Sequence, residues 1–405
     1  MRRGLFCECL RVLVLKRIPK TLEHLNAKTR HSSEIENFVG MPSPPPNHLP
    51  AVELLKALVR FPSLSRKEEP IADFVEEYVH QAGLPVERFE DNVYFRLGDG
   101  PNRLLLNSHL DVVAPSKKHP YDPFDPVEVD GQLYGRGTVD AKASGAAMTT
   151  AVLDLAAEGW MPKNGQVLVA LTACEELGGT YNGLQNLRPH LPDLSAALVG
   201  EPTQLQPCVA QKGLLILHIH AHGQTAHAAR AHLGENAILK AARDIQRLDA
   251  YTFERTDPFL GKPTLTVTVI EGGKARNVVP NLCSFFVDIR TTPAYTHEEI
   301  IDLMADVLES EVKVHSKRII PLATALSERI VRACRAALPD AAPFGSPTAS
   351  DWLFLHDVPT VKIGPGISER SHTPDEHIEI AEVERAVEVY KGIIRAYFET
   401  GEGRG

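Results

Sequence analysis

Residues 102–113 read NRLLLNSHLDVV. The run Leu104–Leu106 does not alternate with polar residues, so it reads as a strand covered on both faces, with His109 at its end. The same texture recurs in GQVLVALTA (165–173), AALVG (196–200) and PTVKIG (359–364). Helical patterns lie between and around these runs. AVELLKALVRFPS (51–63) stops before Pro62. EPIADFVEEYVHQAG (69–83) spaces Ile71, Phe74, Val75 and Val79 helically and stops at Gly83. ASGAAMTTAVLDLAAEG (143–159) is a helix rich in small residues, and EVERAVEVYKGIIRAYFE (382–399) is an amphipathic one. Strands and helices in alternation predict an α/β fold, a mostly parallel sheet flanked by helices.

The texture changes between Cys208 and about Ser316. GLLILHIHAHG (213–223), KPTLTVTVIEGG (262–273) and NLCSFFVDIRTT (281–292) alternate with period two, as half-exposed antiparallel strands do. NAILKAARDIQRL (236–248) and THEEIIDLMADVLES (296–310) read as two helices on one face. The order strand–helix–strand–strand–helix predicts an inserted α+β domain, residues 209–316, between the two parts of an α/β body at 49–208 and 317–405. Ahead of the body, LRVLVLKRI (10–18) is interrupted by Lys16 and Arg17 and no small-residue cleavage site follows, so a signal peptide is not read. MPSPPPNHLP (41–50) reads as a stiff spacer, and residues 1–48 as an extension without a fixed fold.

The 405 residues carry a net charge of −9, which argues against a nucleic-acid partner. No apolar run reaches the roughly 18 residues a membrane helix needs. Cys7, Cys9, Cys174, Cys208, Cys283 and Cys334 are scattered without repeated spacing, which reads as reduced thiols of a cytoplasmic protein.

Five residues that bind metals well fall at strand ends or Gly-rich turns: His109, Asp140 in YGRGTVDAK, Glu176 in LTACEELGG, Glu201 in LVGEPT and His372 in GPGISERSHTPDEH. Open α/β sheets gather ligands outside the carboxyl ends of their strands. One histidine after a strand is ordinarily a solvated residue, but five such residues at equivalent ends predict a metal site. Two metals about 3.5–4 Å apart need a shared negative ligand, and Asp140 is best placed to bridge them. Glu176 and His372 would complete one metal, and His109 with Glu201 the other. Asp111 can orient His109 by accepting its second ring N–H. Glu175 is then left to take a proton from water and pass it to a leaving amine. Oxygen and nitrogen donors without thiolate suit zinc and tolerate cobalt or manganese. Cys174 reads as a small buried strand residue. His218, His220 and His222 have period two and line one face of one strand, so the run is not read as a metal tract. His227, where GQTAHAAR turns toward a helix, is the one histidine of the run that reads as functional.

SHLDVV, GRGTVDAK, CEELGG, GEPT, GQTAHAA and GPG–SHTPDE, in this order, resemble the aminoacylase, acetylornithine deacetylase, succinyl-diaminopimelate desuccinylase and glutamate carboxypeptidase family of dinuclear zinc hydrolases. The resemblance runs from about residue 50 to the end. It implies a zinc-exopeptidase-like catalytic domain, a ferredoxin-like lid that pairs two subunits into a homodimer, and two Zn2+ per subunit. It also implies an N-acyl amino acid as the small-molecule substrate, with metal-bound water attacking the acyl carbonyl and Glu175 as base and acid. His109, Asp140, Glu176, Glu201 and His372 match the family's metal ligands, and Asp111 the orienting aspartate. His227 matches a lid histidine that reaches the partner's active site. Asn277 in GGKARNVVP and Arg290 in VDIRTT match substrate-contacting positions, Arg290 as a clamp for an α-carboxylate. Gly364 and Gly366 match a loop whose backbone lines the substrate pocket. Relatives commonly carry an acidic residue where Cys174 stands. Glu201, GEPT and GSPTASDW (345–352) lean toward acetylornithine deacetylases and arginine biosynthesis. Succinyl-diaminopimelate desuccinylase, or a deacylase of N-acetylcitrulline or N-succinylornithine, is the alternative. A glutamate carboxypeptidase, a dipeptidase or an inactive metal-binding relative comes third.

Overall fold

The computed structural model describes residues 48–177 and 181–399, so the reading of the N-terminal extension, with Cys7 and Cys9, lies outside the described residues. Helices α1 (Ala51–Val59) and α2 (Glu69–Gln81) lead into strands β1 (Val86–Phe89), β2 (Asn92–Gly98) and β3 (Asn102–His109). The short strands β4 (Val127–Val129) and β5 (Gln132–Tyr134) precede α3 (Lys142–Ala157) and β6 (Gly165–Thr172). Then come α4 (Gly183–Leu187), β7 (Ala196–Val199) and β8 (Cys208–Gln211). The inserted part runs through β9 (Gly213–His222), β10 (Ala226–His227), α5 (Ala237–Ala250) and β11 (Thr264–Gly272). It continues with β12 (Val278–Val279), β13 (Leu282–Thr291), α6 (His297–Val307) and β14 (Glu311–Ile319). The chain returns through β15 (Leu322–Ala323), α7 (Arg329–Ala337), β16 (Phe344–Ser346) and β17 (Thr360–Lys362). It closes with β18 (His377–Glu379) and α8 (Ile380–Glu399).

Among the described residues the large sheet runs β1-β2-β6-β3-β7-β17-β8-β15, with β16 beside β8. The expected parallel pairing holds at the centre and again where β16 joins β8, and the sheet as a whole is mixed. β6, β3, β7 and β17 are parallel, while β1, β2 and the β17–β8 and β8–β15 pairs are antiparallel. The antiparallel edge arises because β1 and β2 are joined by a tight turn at Glu90 and Asp91, with Glu90 at φ 53°, and a hairpin can only pair antiparallel. At the centre both faces are covered. Leu104, Leu106, Val167 and Val169 pack with α1, α3 and α8, whereas Leu105, Leu168 and Ala197 pack with Leu184, Trp352 and Leu355 on the other face. This double burial is why the runs carry no alternation.

The inserted part forms a four-stranded antiparallel sheet in the order β11-β13-β9-β14, with α5 and α6 on one face. With connectivity strand–helix–strand–strand–helix–strand, this is the ferredoxin-like arrangement. Two boundaries differ from the sequence reading. β8 pairs with β16, β15 and β17, so the chain leaves the large sheet after Gln211, not after Cys208. β14 reaches Ile319, beyond Ser316. Its strongly charged sequence EVKVHSKRI hides the strand because only one edge and one face are covered. No helix among the described residues is long and apolar enough to cross a membrane.

Candidate metal centre

His109 closes β3 and is buried at 1% exposure. Its Nδ1 lies 3.0 Å from the Asp111 carbonyl oxygen and 3.4 Å from Asp111 Oδ1. A carbonyl can only accept, so Nδ1 carries the proton and Nε2 faces the cleft. Asp111 therefore orients the ring chiefly through its main chain. Its carboxylate does something the sequence reading did not foresee: it accepts from the backbone N–H of Glu175 (3.0 Å), from that of Glu176 (3.1 Å) and from the Ser65 hydroxyl (2.7 Å). It pins the turn that presents both glutamates. Burial would raise the Asp111 carboxyl, but His109 and these donors hold it below the usual range.

Asp140 lies between the two histidines. Its Oδ1 is 3.2 Å from His109 Nε2 and its Oδ2 is 3.3 Å from His372 Nε2, which is also 2.9 Å from Glu176 Oε1. Two sets result, each with ligand atoms within 4.8 Å of one another: His109, Asp140 and Glu201, and Asp140, Glu176 and His372. Asp140 belongs to both. The electrostatics match this geometry. Burial, with Asp140 nearby, pushes Glu201 up to about 8. Burial and the Glu201 charge push Glu175 well above the carboxylate range. The Asp140 and Glu176 carboxylates lift His372 to about 10, and His109 is raised despite its burial by Asp111 and Asp140. Four carboxyl groups with two imidazoles beside them call for cations, and protons fill that role when none is bound. The donor set thus fits divalent ions.

The loop carrying Asp140 is held by a residue absent from the sequence reading. Glu376 Oε1 accepts from the backbone N–H of Gly137 (3.0 Å), Val139 (2.9 Å) and Asp140 (3.2 Å), and its Oε2 is ion-paired with Arg136. Arg136 in turn donates to the carbonyls of His372 (3.4 Å) and Thr373 (3.3 Å). This network keeps His372 at φ 65°, a left-handed backbone that costs roughly 1–2 kcal/mol for a residue with a Cβ. Lys142, just past Asp140, donates its ammonium to the carbonyls of Leu58 (3.0 Å) and Phe61 (2.9 Å), and burial pushes it down to about 7. Asp351 accepts from Thr172 (3.1 Å) and Asn182 (2.7 Å), and its charge is one of those that raise Glu175. The only signal for Glu376 was an acid four residues after His372. For Asp351 it was the ASDW stretch.

Cys174 is buried as expected but lies beyond β6, not in it, at φ 57°. Its N–H and Sγ both bond Glu68 Oε1, at 2.9 and 3.3 Å. Burial, and then Glu68, push its thiol up to about 12, away from the thiolate form. Gly364 and Gly366 pack against the turn of Glu201. A Cβ on Gly364 would meet Ser144 Oγ at 2.3 Å and the Glu201 carbonyl at 2.6 Å. The Gly364 N–H and carbonyl are engaged by Thr203 and Leu205, and those of Gly366 by Glu382 and Gln204.

The lid residues divide into two groups. His227 and Asn277 are neighbours, with Ala228 N–H donating to the Asn277 carbonyl (2.8 Å) and His227 pairing with Val278. Arg290 opposes Leu214 on β9, while Leu282, at the other end of β13, opposes His222. That eight-residue interval spans about 27 Å of strand, so His227 and Arg290 sit at opposite ends of the lid sheet. Arg290 is exposed and ion-paired along its own strand with Asp288 (2.9 Å).

Residues 105–396 match the description "Peptidase family M20/M25/M40". The chain belongs to that family. Its members are metallohydrolases, and the M20 assignment covers every residue of the two ligand sets. Among curated relatives, a succinyl-diaminopimelate desuccinylase of Cereibacter sphaeroides is 29% identical over 378 residues, covering 86% of this chain and 98% of its own length. Among solved structures, the aminopeptidase PepT of Bacillus cereus has a TM-score of 0.71 at 22% identity, covering 86% of this chain and 98% of its own. A Bacillus subtilis protein described as a dinuclear metal binding peptidase of the M20 family has a TM-score of 0.68 at 14% identity, covering 86% and 98%.

Proposed function

We propose that the chain hydrolyses the amide bond of an N-acyl amino acid. The observation that carries this reading is the pair of ligand sets sharing Asp140, with the half-buried Glu175 within electrostatic reach of Glu201 and His109. His109, Asp140 and Glu201 would hold one divalent ion, and Asp140, Glu176 and His372 the other, zinc being favoured by the nitrogen and oxygen donors. When bound, such ions supply Lewis acidity and lower the pKa of water. Glu175 removes a proton as the water oxygen adds to the acyl carbonyl. It then returns the proton to the amide nitrogen, the C–N bond breaks, and carboxylic acid and free amine leave. Asp111 fixes the direction of Glu175 through the backbone it binds.

For the substrate, Arg290 would clamp an α-carboxylate after exchanging Asp288 for it. The motifs around Glu201 and GSPTASDW support N-acetylornithine. The desuccinylase relative supports N-succinyl-diaminopimelate as the second reading. A lid-mediated homodimer belongs to the same proposal. β11 is an edge strand with Val269 and Ile270 exposed, and Ile238 and Leu239 of the neighbouring α5 are exposed beside it. An apolar, unpaired edge of this kind invites a second copy.

The test is turnover by the zinc-loaded full chain on N-acetylornithine, N-acetylcitrulline, N-succinylornithine, N-succinyl-diaminopimelate and simple dipeptides. One N-acyl amino acid should exceed the dipeptides in kcat/KM by roughly tenfold or more, the worth of one good contact. Preference for dipeptides would overturn the proposal.

A further inference from the structure

The lid sheet has one face under α5 and α6 and one face open. On β9 the residues alternate, with Leu217, Ile219 and Ala221 buried and His218, His220 and His222 pointing to the open face. β14 lies antiparallel beside β9, and Glu311 stands directly opposite His220. We infer that His220, His222 and Glu311 form a separate binding site for a borderline divalent cation such as Zn2+ or Ni2+, outside the catalytic cleft.

The geometry is that of a chelate. Residues i and i+2 of a strand project from the same face, and a cross-strand neighbour adds a third side chain within about 5 Å. One ligand atom from each of the three lies within 4.8 Å of the others. The Glu311 carboxylate is 3.0 Å from His222 Nε2. His220 Nε2 is shut off from solvent and has no hydrogen-bond partner, while the ring itself packs against His218 at 4.1 Å between centroids. His220 thus brings a ring nitrogen without a hydrogen-bond partner to a group of side chains that already holds an imidazole and a carboxylate, and a bound cation is one way to satisfy it. Lys313 Nζ, 3.3 Å from Glu311 Oε2, now supplies the positive charge, and as an exposed side chain it can withdraw. His218, stacked on Phe286 at 4.1 Å between ring centroids, continues the row and walls one side. Two imidazoles and one carboxylate without a thiolate select late first-row divalent ions over Ca2+ or Mg2+. His222 and Glu311 are about half exposed, which leaves room for water to complete the coordination.

This site differs from the apolar edge at β11, since β14 is the opposite edge of the sheet. It clasps β9 to β14 five residues before His227. The test uses the full chain without an affinity tag, dialysed against Zn2+ or Ni2+ and analysed for metal per chain. Wild type should hold one equivalent more than His222→Gln and more than Glu311→Gln, with amide hydrolysis unchanged in both. Both positions are exposed, so neither variant should threaten folding. Cu2+ bound at this site should show two nitrogen ligands by electron paramagnetic resonance, and one in His222→Gln. Equal metal content in wild type and both variants, or an unaltered copper spectrum, overturns the assignment. Because hydrolysis is read separately, failure here is distinct from failure of the proposed activity.

Discussion

Glu175 illustrates how one residue can depend on the site for its own chemistry. Without cations, burial and the Glu201 charge shift Glu175 upward, toward the protonated form that cannot act as a base. Divalent ions would return it to the carboxylate form. Glu175→Gln should therefore keep metal content and lose roughly 10²–10⁴-fold in turnover; activity near wild type with full metal content would reject the assignment. The histidines supply a second prediction. His372 is raised to about 10, so its proton stabilises the cation-free fold fully below the ordinary histidine value, and that contribution fades as pH rises through about 10. Glu201, raised to about 8, acts in the same direction, with its contribution present below the ordinary carboxyl range and lost on rising through about 8. The cation-free chain should lose melting temperature between about pH 4.5 and 10. Zinc binding should release protons into weakly buffered solution near pH 7. Titration without proton release would show that the imidazoles are already neutral.

At the scale of elements, the strands that lead to the candidate ligands are legible because each is buried on both faces. β3, β6, β7 and β17 announce themselves as unbroken apolar runs, and His109 and Glu201 follow from where two of them end. Period two revealed β9, β11 and β13 for the opposite reason, one face being open. β1, β15 and β16 were not legible, since two to four residues at a sheet edge need no pattern. Glu376 was missed on different grounds. It lies 239 residues from Gly137, and a carboxylate that organises a distant loop looks in sequence like any solvated acid. Its role yields a prediction: Glu376→Gln weakens the Arg136 pair and the grip on three backbone N–H groups, and should cost about 10–100-fold in metal affinity by competition with a chelator. Unchanged affinity would mean that Lys142 and the Gly-rich turn hold Asp140 unaided.

At the scale of the whole molecule, the separation of His227 from Arg290 along the lid bears on assembly. If both serve one substrate, a paired lid from a second chain supplies the simplest route. His227→Ala should then lose about 10²–10³-fold in turnover while keeping metal and dimer. Mixing it with Glu175→Gln chains should restore part of the activity, because one site of the mixed dimer combines an intact Glu175 with a donated His227. Absence of recovery after verified subunit exchange would place His227 within its own chain. The division of the body by the lid has a further consequence, for the timing of synthesis. His109, Asp140 and Glu201 all precede the insertion, whereas His372 follows it, and β17 takes its place between β7 and β8 only afterwards. On a ribosome, the first ligand set is therefore complete in sequence while the second still lacks a member. The nascent chain must finish its lid before His372 can join the second set, so both candidate sets together mark a chain made at least as far as His372.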